Sequence, residues 1–189
     1  RSKITPSRSE RIAVVELSFT INKMLSKNLE SIIPQLEELT RGLFPEILKI
    51  YRNPKSTAKE KKDGSPVTKA DMYVHSMIVG FLEKNFSNIP VISEESFEQK
   101  NYKPAKEFWI IDPIDGTMNF VHSNPLVTIS VALAINKKIV LGIVSAPCIG
   151  KTFTAIKGQG CKLNGQNIKV SECKELKLAQ CIQEVWPDM

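Results

Sequence analysis

The chain lacks the features that mark zinc-binding, secreted or membrane-spanning proteins. It has 189 residues but only four cysteines, which are widely spaced and form no C-x-x-C pair. A zinc site needs more closely spaced ligands, and a small disulfide scaffold needs a higher density of cysteines. No apolar run approaches the ~20 residues of a membrane helix. We therefore predict reduced thiols, a cytoplasmic location and no membrane partner.

Aromatic residues are also few, at 7%, and they do not alternate with basic residues along any stretch. The net charge is +6, and much of the excess lies in residues 1–10 and 55–69. A nucleic-acid interface would combine basic and aromatic side chains on one surface. The composition does not favour such a partner, whereas a local basic excess fits either a solvated surface or attraction to phosphorylated ligands.

Hydrophobic periodicity predicts a helical N-terminal half. After a tail at residues 1–10, helices are predicted over 11–30, from Pro34 to about residue 51, and over 69–84. In the second helix the apolar stripe consists of Leu36, Leu39, Leu43, Ile47 and Ile50. Pro45 falls within this stripe, so a kink or a break is expected there. In the third helix the candidate apolar contacts are Met72, Met77, Ile78, Phe81 and Leu82. The lysine-rich segment 52–66 is predicted to be a loop.

The second half is rich in strand patterns. Strands are predicted at residues 89–92, 108–111, 126–135, 139–146, 152–156, 161–163 and 168–170. Asn164-Gly165 is the strongest hairpin signal. Helices followed by a meander indicate an α+β fold, with the N-terminal helices packed on one face of an antiparallel sheet. Residues 178–185 are expected to form another strand or the start of a helix, and because a strand here has no visible successor we expect the polypeptide to be cut short.

Five acidic residues stand beside apolar segments, where an unpaired carboxylate is costly to bury. They are Asp71, Glu94, Glu95, Asp112 and Asp115. Oxygen ligands without histidine or cysteine suit Mg²⁺ rather than zinc. Each of these residues alone can be explained as a solvated charge, so the prediction of a magnesium site depends on their occurring together.

The segment from Asp112 to Thr117 joins carboxylates to exposed backbone. The proline between Asp112 and Asp115 fixes its own φ, and a turn there would let the two carboxylates bracket two metals, with the Ile114 carbonyl as a further ligand. Gly116 permits close backbone approach. A helix starting at Thr117 would direct free N–H groups at a phosphate. The alternative is an ordinary turn, with Thr117 as a helix cap.

Three motifs closely resemble those of the inositol monophosphatase family. They are Gly64-Ser-Pro-Val-Thr-Lys-Ala-Asp71, Ile92-Ser-Glu-Glu-Ser96 and Trp109-Ile-Ile-Asp-Pro-Ile-Asp-Gly-Thr-Met-Asn-Phe120. The resemblance covers about residues 35–185. It implies Mg²⁺-dependent, lithium-sensitive hydrolysis of a phosphate monoester by metal-activated water, with inositol monophosphate as the expected substrate.

Carried over by position, the resemblance implies a set of metal ligands. Glu94, Asp112 and the Ile114 carbonyl would hold one Mg²⁺. Asp112 and Asp115 would share a second, and Glu94 would help to hold a third, weaker ion. Glu95 would support these ligands without binding metal.

The resemblance also implies roles in hydrolysis. Thr117, paired with Asp71, would orient and help to deprotonate the attacking water, and Glu94 would belong to the same catalytic group. The N–H groups of Gly116 and Thr117 would hold the phosphate, and Asp115 would also contact the alcohol of the substrate.

Domain boundaries follow from the same resemblance. Residues 1–30 would be an N-terminal extension, 31–177 the metal-binding first domain and 178–189 the start of a C-terminal α/β domain that is otherwise missing. That missing domain would carry an aspartate that completes the second metal site. The family is commonly dimeric, so a homodimer is one of the oligomeric states that the sequence leaves open.

Several other functions stay open at this stage. Within the superfamily they are a 3′(2′),5′-bisphosphate nucleotidase, a histidinol-phosphate phosphatase and a fructose-bisphosphate phosphatase. Nucleotidases of this type usually carry a charged pair before the phenylalanine, so Met118-Asn119-Phe120 favours the inositol branch. Outside the enzymes, a catalytically incomplete regulatory or scaffold homologue is the alternative.

Overall fold

The computed structural model of the chain describes residues 8–53, 59–60, 66–96 and 105–179. The helices are α1 (Arg8–Tyr51), α2 (Lys69–Asn85) and α3 (Thr117–Val121). The strands are β1 (Lys59–Glu60), β2 (Pro66–Val67), β3 (Val91–Ser93), β4 (Glu107–Asp115), β5 (Thr128–Ile135), β6 (Lys138–Ala146), β7 (Lys151–Ile156), β8 (Gly160–Leu163) and β9 (Gln166–Ile168). The predicted tail lies mostly, and the predicted strand at 178–185 almost wholly, outside the described residues.

Helix α1 is one element where two were predicted. It runs through both Pro34 and Pro45 without interruption, so the expectation of separate helices is wrong. A proline inside a helix costs about 3 kcal/mol. Leu36, Leu43 and Ile47 are almost completely buried on either side of Pro45, and each such side chain contributes roughly 1.5–3 kcal/mol on burial. Burial of this continuous apolar stripe outweighs the loss of the backbone hydrogen bond that a proline removes from a helix.

Helix α2 begins and ends almost where the sequence predicts. Its buried face repeats every four residues and consists of Ala70, Val74, Ile78 and Leu82. The expected apolar contacts at Met72 and Met77 are wrong, because these side chains point away from that stripe and are exposed. Asp71 lies on the buried face instead, and this placement shapes the site described below.

The main sheet has seven strands in the order β3-β4-β5-β6-β7-β8-β9. All neighbours are antiparallel except β3 and β4, which are parallel, so the sheet is mixed and not purely antiparallel as expected. A parallel pair needs a long connection, and residues 94–106 supply it. The predicted hairpin at Asn164-Gly165 is confirmed, with φ of 49° and 82° at the two residues.

Both long helices lie on the sheet, as expected for an α+β fold. α1 contacts β6, β7 and α2, and α2 contacts β3 and β4. Trp109 and Ile111 of β4 are buried in the core that these helices share. The predicted loop 52–66 contains a small ribbon, since β1 and β2 pair antiparallel. No helix of the described ranges is long and apolar enough to cross a membrane.

Candidate active site

Strand β4 carries the two central carboxylates and runs farther than predicted. The sequence predicts a strand that ends at residue 111 and then turns, but β4 continues to Asp115. Asp112 faces Ser130 and Asp115 faces Thr128, so a step of three residues on β4 opposes a step of two on β5. One extra residue makes a β-bulge, which tolerates the proline and re-aims the strand end. The change of direction therefore comes from a bulge.

Gly116 makes the transition from β4 to α3. Its φ is +87°, in the left-handed region, and α3 follows at once. A Cβ at this position would lie 2.9 Å from the carbonyl oxygen of Leu126 and 3.3 Å from Nδ2 of Asn119. That Nδ2 also donates to the Leu126 carbonyl at 2.9 Å. Backbone conformation and close approach both require glycine here.

A pair of glycine substitutions tests this requirement. We expect Gly116→Ala to lower the free energy of unfolding by about 1–3 kcal/mol, because alanine is strained at positive φ and meets the Leu126 carbonyl. Gly80→Ala is the matched control, since its Cβ would meet nothing within 4 Å on α2, and it should raise that free energy by about 0.5–1 kcal/mol. Urea unfolding of both variants measures the two changes in the free energy of unfolding. Equal changes would show that position 116 does not require glycine.

Asp71 is held from two sides. It is 0% exposed in the first turn of α2. Thr68, the N-cap, donates its backbone N–H to Asp71 Oδ2 at 2.7 Å and its hydroxyl to the same oxygen. The other oxygen, Oδ1, accepts from Thr117 Oγ1 at 3.2 Å. The structure thus brings Asp71 and Thr117 together, although they are far apart in the sequence.

The buried carboxylate of Asp71 is a better base than an ordinary aspartate. Burial raises its pKa, and the hydrogen bonds from Thr68 and Thr117 only partly offset that rise. The Thr117 hydroxyl has one proton and two acceptors, Asp71 Oδ1 and the carbonyl oxygen of Ile114 at 3.0 Å. Its lone pairs can accept a proton while its own proton passes towards Asp71.

Four carboxylates interact at this end of the sheet. Asp112 is half-buried, and its pKa rises to about 6 because of burial first and then because of the negative charges of Asp115, Glu94 and Asp71. The ion pairs among the described residues are Arg41–Glu37, Lys49–Glu46 and Lys177–Glu175. None of them neutralises Asp71, Asp112 or Asp115. The repulsion among Asp71, Asp112 and Asp115 is therefore not offset by an ion pair within the described parts of the chain.

The chemistry of this group suits a hard cation. The donors are carboxylate oxygens and a backbone carbonyl, which Mg²⁺ prefers, and a divalent ion would relieve the repulsion around Asp112. Within the ranges that the structure covers, no three His, Cys, Asp or Glu side chains converge as ready ligands. Asp115 is exposed and accepts from Thr128 Oγ1 at 3.4 Å. Metal binding by Glu94, Asp112, Ile114 and Asp115 stays a prediction.

The raised pKa of Asp112 predicts an unusual dependence of stability on pH without Mg²⁺. The folded protein holds this proton up to about pH 6, whereas the unfolded chain loses it near 3.8. The folded state therefore binds more protons between these values, and the free energy of unfolding should fall as the pH rises through them. Chemical unfolding in EDTA at several pH values measures this. If the free energy of unfolding rose with pH over this range, and Asp112→Asn left that rise unchanged, the prediction would be contradicted.

Thr68 is the site residue that sequence reasoning missed. The pattern Thr68-x-x-Asp71 before an apolar helix is the signal that could have revealed it, because it is a capping-box signature. Both reciprocal bonds of that box are present. Thr68 saturates one oxygen of Asp71 and leaves the other for Thr117.

The chain belongs to the inositol monophosphatase family, whose model matches residues 28–189. It is 38% identical over 149 residues to the inositol monophosphatase of Dictyostelium discoideum, a match that covers 78% of this chain and 55% of that protein. The Thermotoga maritima IMPase structure superposes with a TM-score of 0.66 at 34% identity, covering 75% of this chain and 54% of that one.

A further structure shares the fold at lower identity. It is an IMPase/NADP phosphatase complexed with Mg²⁺ and phosphate, with a TM-score of 0.66 and 24% identity over 74% of this chain and 53% of that one. The chain thus spans about half the length of the relatives that it matches.

Proposed function

We propose that this chain carries the metal- and phosphate-binding half of a Mg²⁺-dependent phosphatase that hydrolyses inositol monophosphate. The observation that carries the proposal is the group of mutually repelling carboxylates around Asp112 beside the hydrogen-bonded pair Asp71–Thr117. Family membership supports it. The name of the Dictyostelium relative and the Mg²⁺ and phosphate of the fold neighbour agree with it.

Four groups would hold the cations. They are the carboxylates of Glu94, Asp112 and Asp115 and the carbonyl of Ile114. Bound Mg²⁺ neutralises charge on the phosphate and makes a bound water more acidic. The protein itself holds carboxylates close together at the bulge. Without a cation these carboxylates repel one another, and this repulsion favours cation binding.

Asp71 and Thr117 would handle the proton of the attacking water. Thr117 Oγ1 accepts a proton from the water as its own proton moves towards Asp71 Oδ1, 3.2 Å away. The raised pKa of Asp71 makes this transfer more favourable than it would be to a solvated aspartate. Thr68 keeps Oδ2 occupied, so that Oδ1 faces Thr117. The water oxygen forms the new bond to phosphorus as the phosphorus–oxygen bond to the alcohol breaks, and the leaving oxygen takes a proton from solvent.

The start of α3 would receive the phosphate. The first N–H groups of a helix have no partner within it, and those of Gly116 and Thr117 follow directly after the carboxylates. Asp115 is exposed on the same rim, where it would contact the alcohol of the substrate. Inhibition by Li⁺ is part of the same proposal.

Phosphate release from inositol 1-phosphate by the 189-residue protein tests the proposal. We expect release with Mg²⁺, none in EDTA and inhibition by Li⁺. NADP, a 3′-phosphorylated nucleotide, histidinol phosphate and fructose 1,6-bisphosphate, assayed in parallel, decide the substrate within the superfamily. Release that does not depend on Mg²⁺ would contradict the proposal. Mg²⁺ binding without release from any substrate would indicate a catalytically incomplete homologue.

A further inference from the structure

Helix α2 contacts a second segment of the site besides Thr117. His75 Nδ1 lies 2.8 Å from Ser93 Oγ, a hydrogen bond between residues that are remote in the sequence. Ser93 is 1% exposed and is the last residue of β3. A buried hydroxyl needs a partner, and His75 supplies one from the helix layer. Glu94 is the next residue along the chain.

Strand β3 is held by β4 on one side and by helix α2. It has three residues at the edge of the sheet, and in the part of the chain that the structure describes it pairs only with β4. Its register sets Ser93 opposite Ile111, directly before Asp112. Glu94 and Asp112 thus follow a pair of residues on neighbouring strands, and the direction in which the chain leaves β3 affects the distance between them.

One helix turn separates the two contacts of α2. Asp71 and His75 are four residues apart, so they lie on the same side of the helix. Asp71 bonds to Thr117, and His75 bonds to Ser93. One side of α2 thus contacts both Thr117, which belongs to the pair proposed to activate the water, and Ser93, which directly precedes Glu94.

We propose that His75 is a positioning residue for Glu94: through Ser93 it fixes the exit of β3 and thereby the affinity of the Glu94–Asp112 site for a divalent cation. The inference rests on the proposed function, because it assumes that Glu94 is a metal ligand. His75 itself touches neither cation nor substrate. Glu94 and Asp112 each follow a residue of the Ser93–Ile111 pair, so the two acidic residues come directly after the same point of two neighbouring parallel strands.

Mg²⁺ titration of the 189-residue chain by calorimetry tests the role of His75. We expect His75→Ala to weaken Mg²⁺ binding about tenfold, the lower end of the effect for groups that orient ligands. His75→Asn should restore most of the affinity, since its amide can occupy the position of Nδ1. Ser76→Ala is the matched control, because Ser76 is exposed on the same helix.

A double-mutant cycle separates positioning from general destabilisation. Ser93→Ala removes the same bond from the other side, and it serves if His75→Ala does not fold. The double variant should bind Mg²⁺ no more weakly than either single variant, because both changes break one interaction. Thermal unfolding in EDTA records any loss of stability separately.

The possible outcomes are distinct. An unaltered chain that does not bind Mg²⁺ would overturn the proposed function and this inference together. Normal Mg²⁺ binding by the unaltered chain and undiminished affinity in His75→Ala and Ser93→Ala would overturn the inference alone, even if both variants were less stable. Weakened binding in both, rescued in His75→Asn, would support it.

Discussion

Asp112→Asn is expected to stabilise the cation-free protein and to abolish its response to Mg²⁺. The half-buried carboxylate of Asp112 sits among the charges of Asp115, Glu94 and Asp71, which together with burial raise its pKa to about 6. The amide has the same shape without the charge. After allowance for partial exposure, the gain in the free energy of unfolding in EDTA near pH 7.5 should be about 1–2 kcal/mol.

The same substitution should remove function. Asp112 is the ligand expected to serve two metals, so Mg²⁺-dependent phosphate release should fall by at least about 100-fold, beyond the effect of changing groups that only orient ligands. Urea unfolding with EDTA and with Mg²⁺ measures the change in stability and the response to Mg²⁺, and an assay of phosphate release measures the loss of function. Glu46→Gln is the control, since Glu46 is a partly exposed carboxylate on α1 that pairs with Lys49. An Asp112→Asn protein that Mg²⁺ still stabilises would show that the ligand is elsewhere.

Thr117→Ala is expected to leave Mg²⁺ binding within about twofold and to slow hydrolysis by about 10²–10⁴-fold, the usual contribution of a positioned acid or base. The substitution removes the hydroxyl that would link the attacking water to Asp71, whose Oδ1 lies 3.2 Å from Thr117 Oγ1. No carboxylate is lost, so the charges that bind the cation are unchanged. The effect should appear in kcat and not in KM.

Thr117→Ser is the matched variant for that experiment. It keeps the hydroxyl and removes only a methyl group, so most of the rate should return. Steady-state phosphate release at saturating Mg²⁺ provides the comparison. If the Thr117→Ala and Thr117→Ser proteins released phosphate at the same rate, the Thr117 hydroxyl would have no part in the chemistry. Asp71 would then have to act by another path.

Local chemistry explains which parts of the fold the sequence predicts well. Helix α2 has a capping box and a four-residue apolar repeat, and Asn164-Gly165 adopts the two positive φ values that a tight hairpin needs. Non-local effects explain the errors. Burial of a continuous stripe carries α1 through Pro45. The parallel pairing of β3 with β4 is a non-local contact, about which local patterns say nothing.

The features of the candidate site also divide into those that local sequence patterns reveal and those that depend on non-local contacts. The carboxylates and Thr117 are visible in the sequence because each follows an apolar segment or stands in a short motif. The contact of Asp71 with Thr117 was expected from the family resemblance, and the structure provides its geometry. The bulge between Asp112 and Asp115 depends on pairing with β5, and the bond from His75 to Ser93 depends on how α2 packs on the sheet. Neither has a local signature.

One strand end is proposed to join a cation site to a phosphate site. Titration of Mg²⁺ into the 189-residue protein, with and without inorganic phosphate, tests it most directly by calorimetry. Because the proposed sites for Mg²⁺ and phosphate adjoin each other, each ligand should tighten the binding of the other by the same factor. We predict that phosphate increases the affinity for Mg²⁺ and does not bind in EDTA. Mg²⁺ binding that phosphate leaves unchanged, or no Mg²⁺ binding at all, would contradict the account.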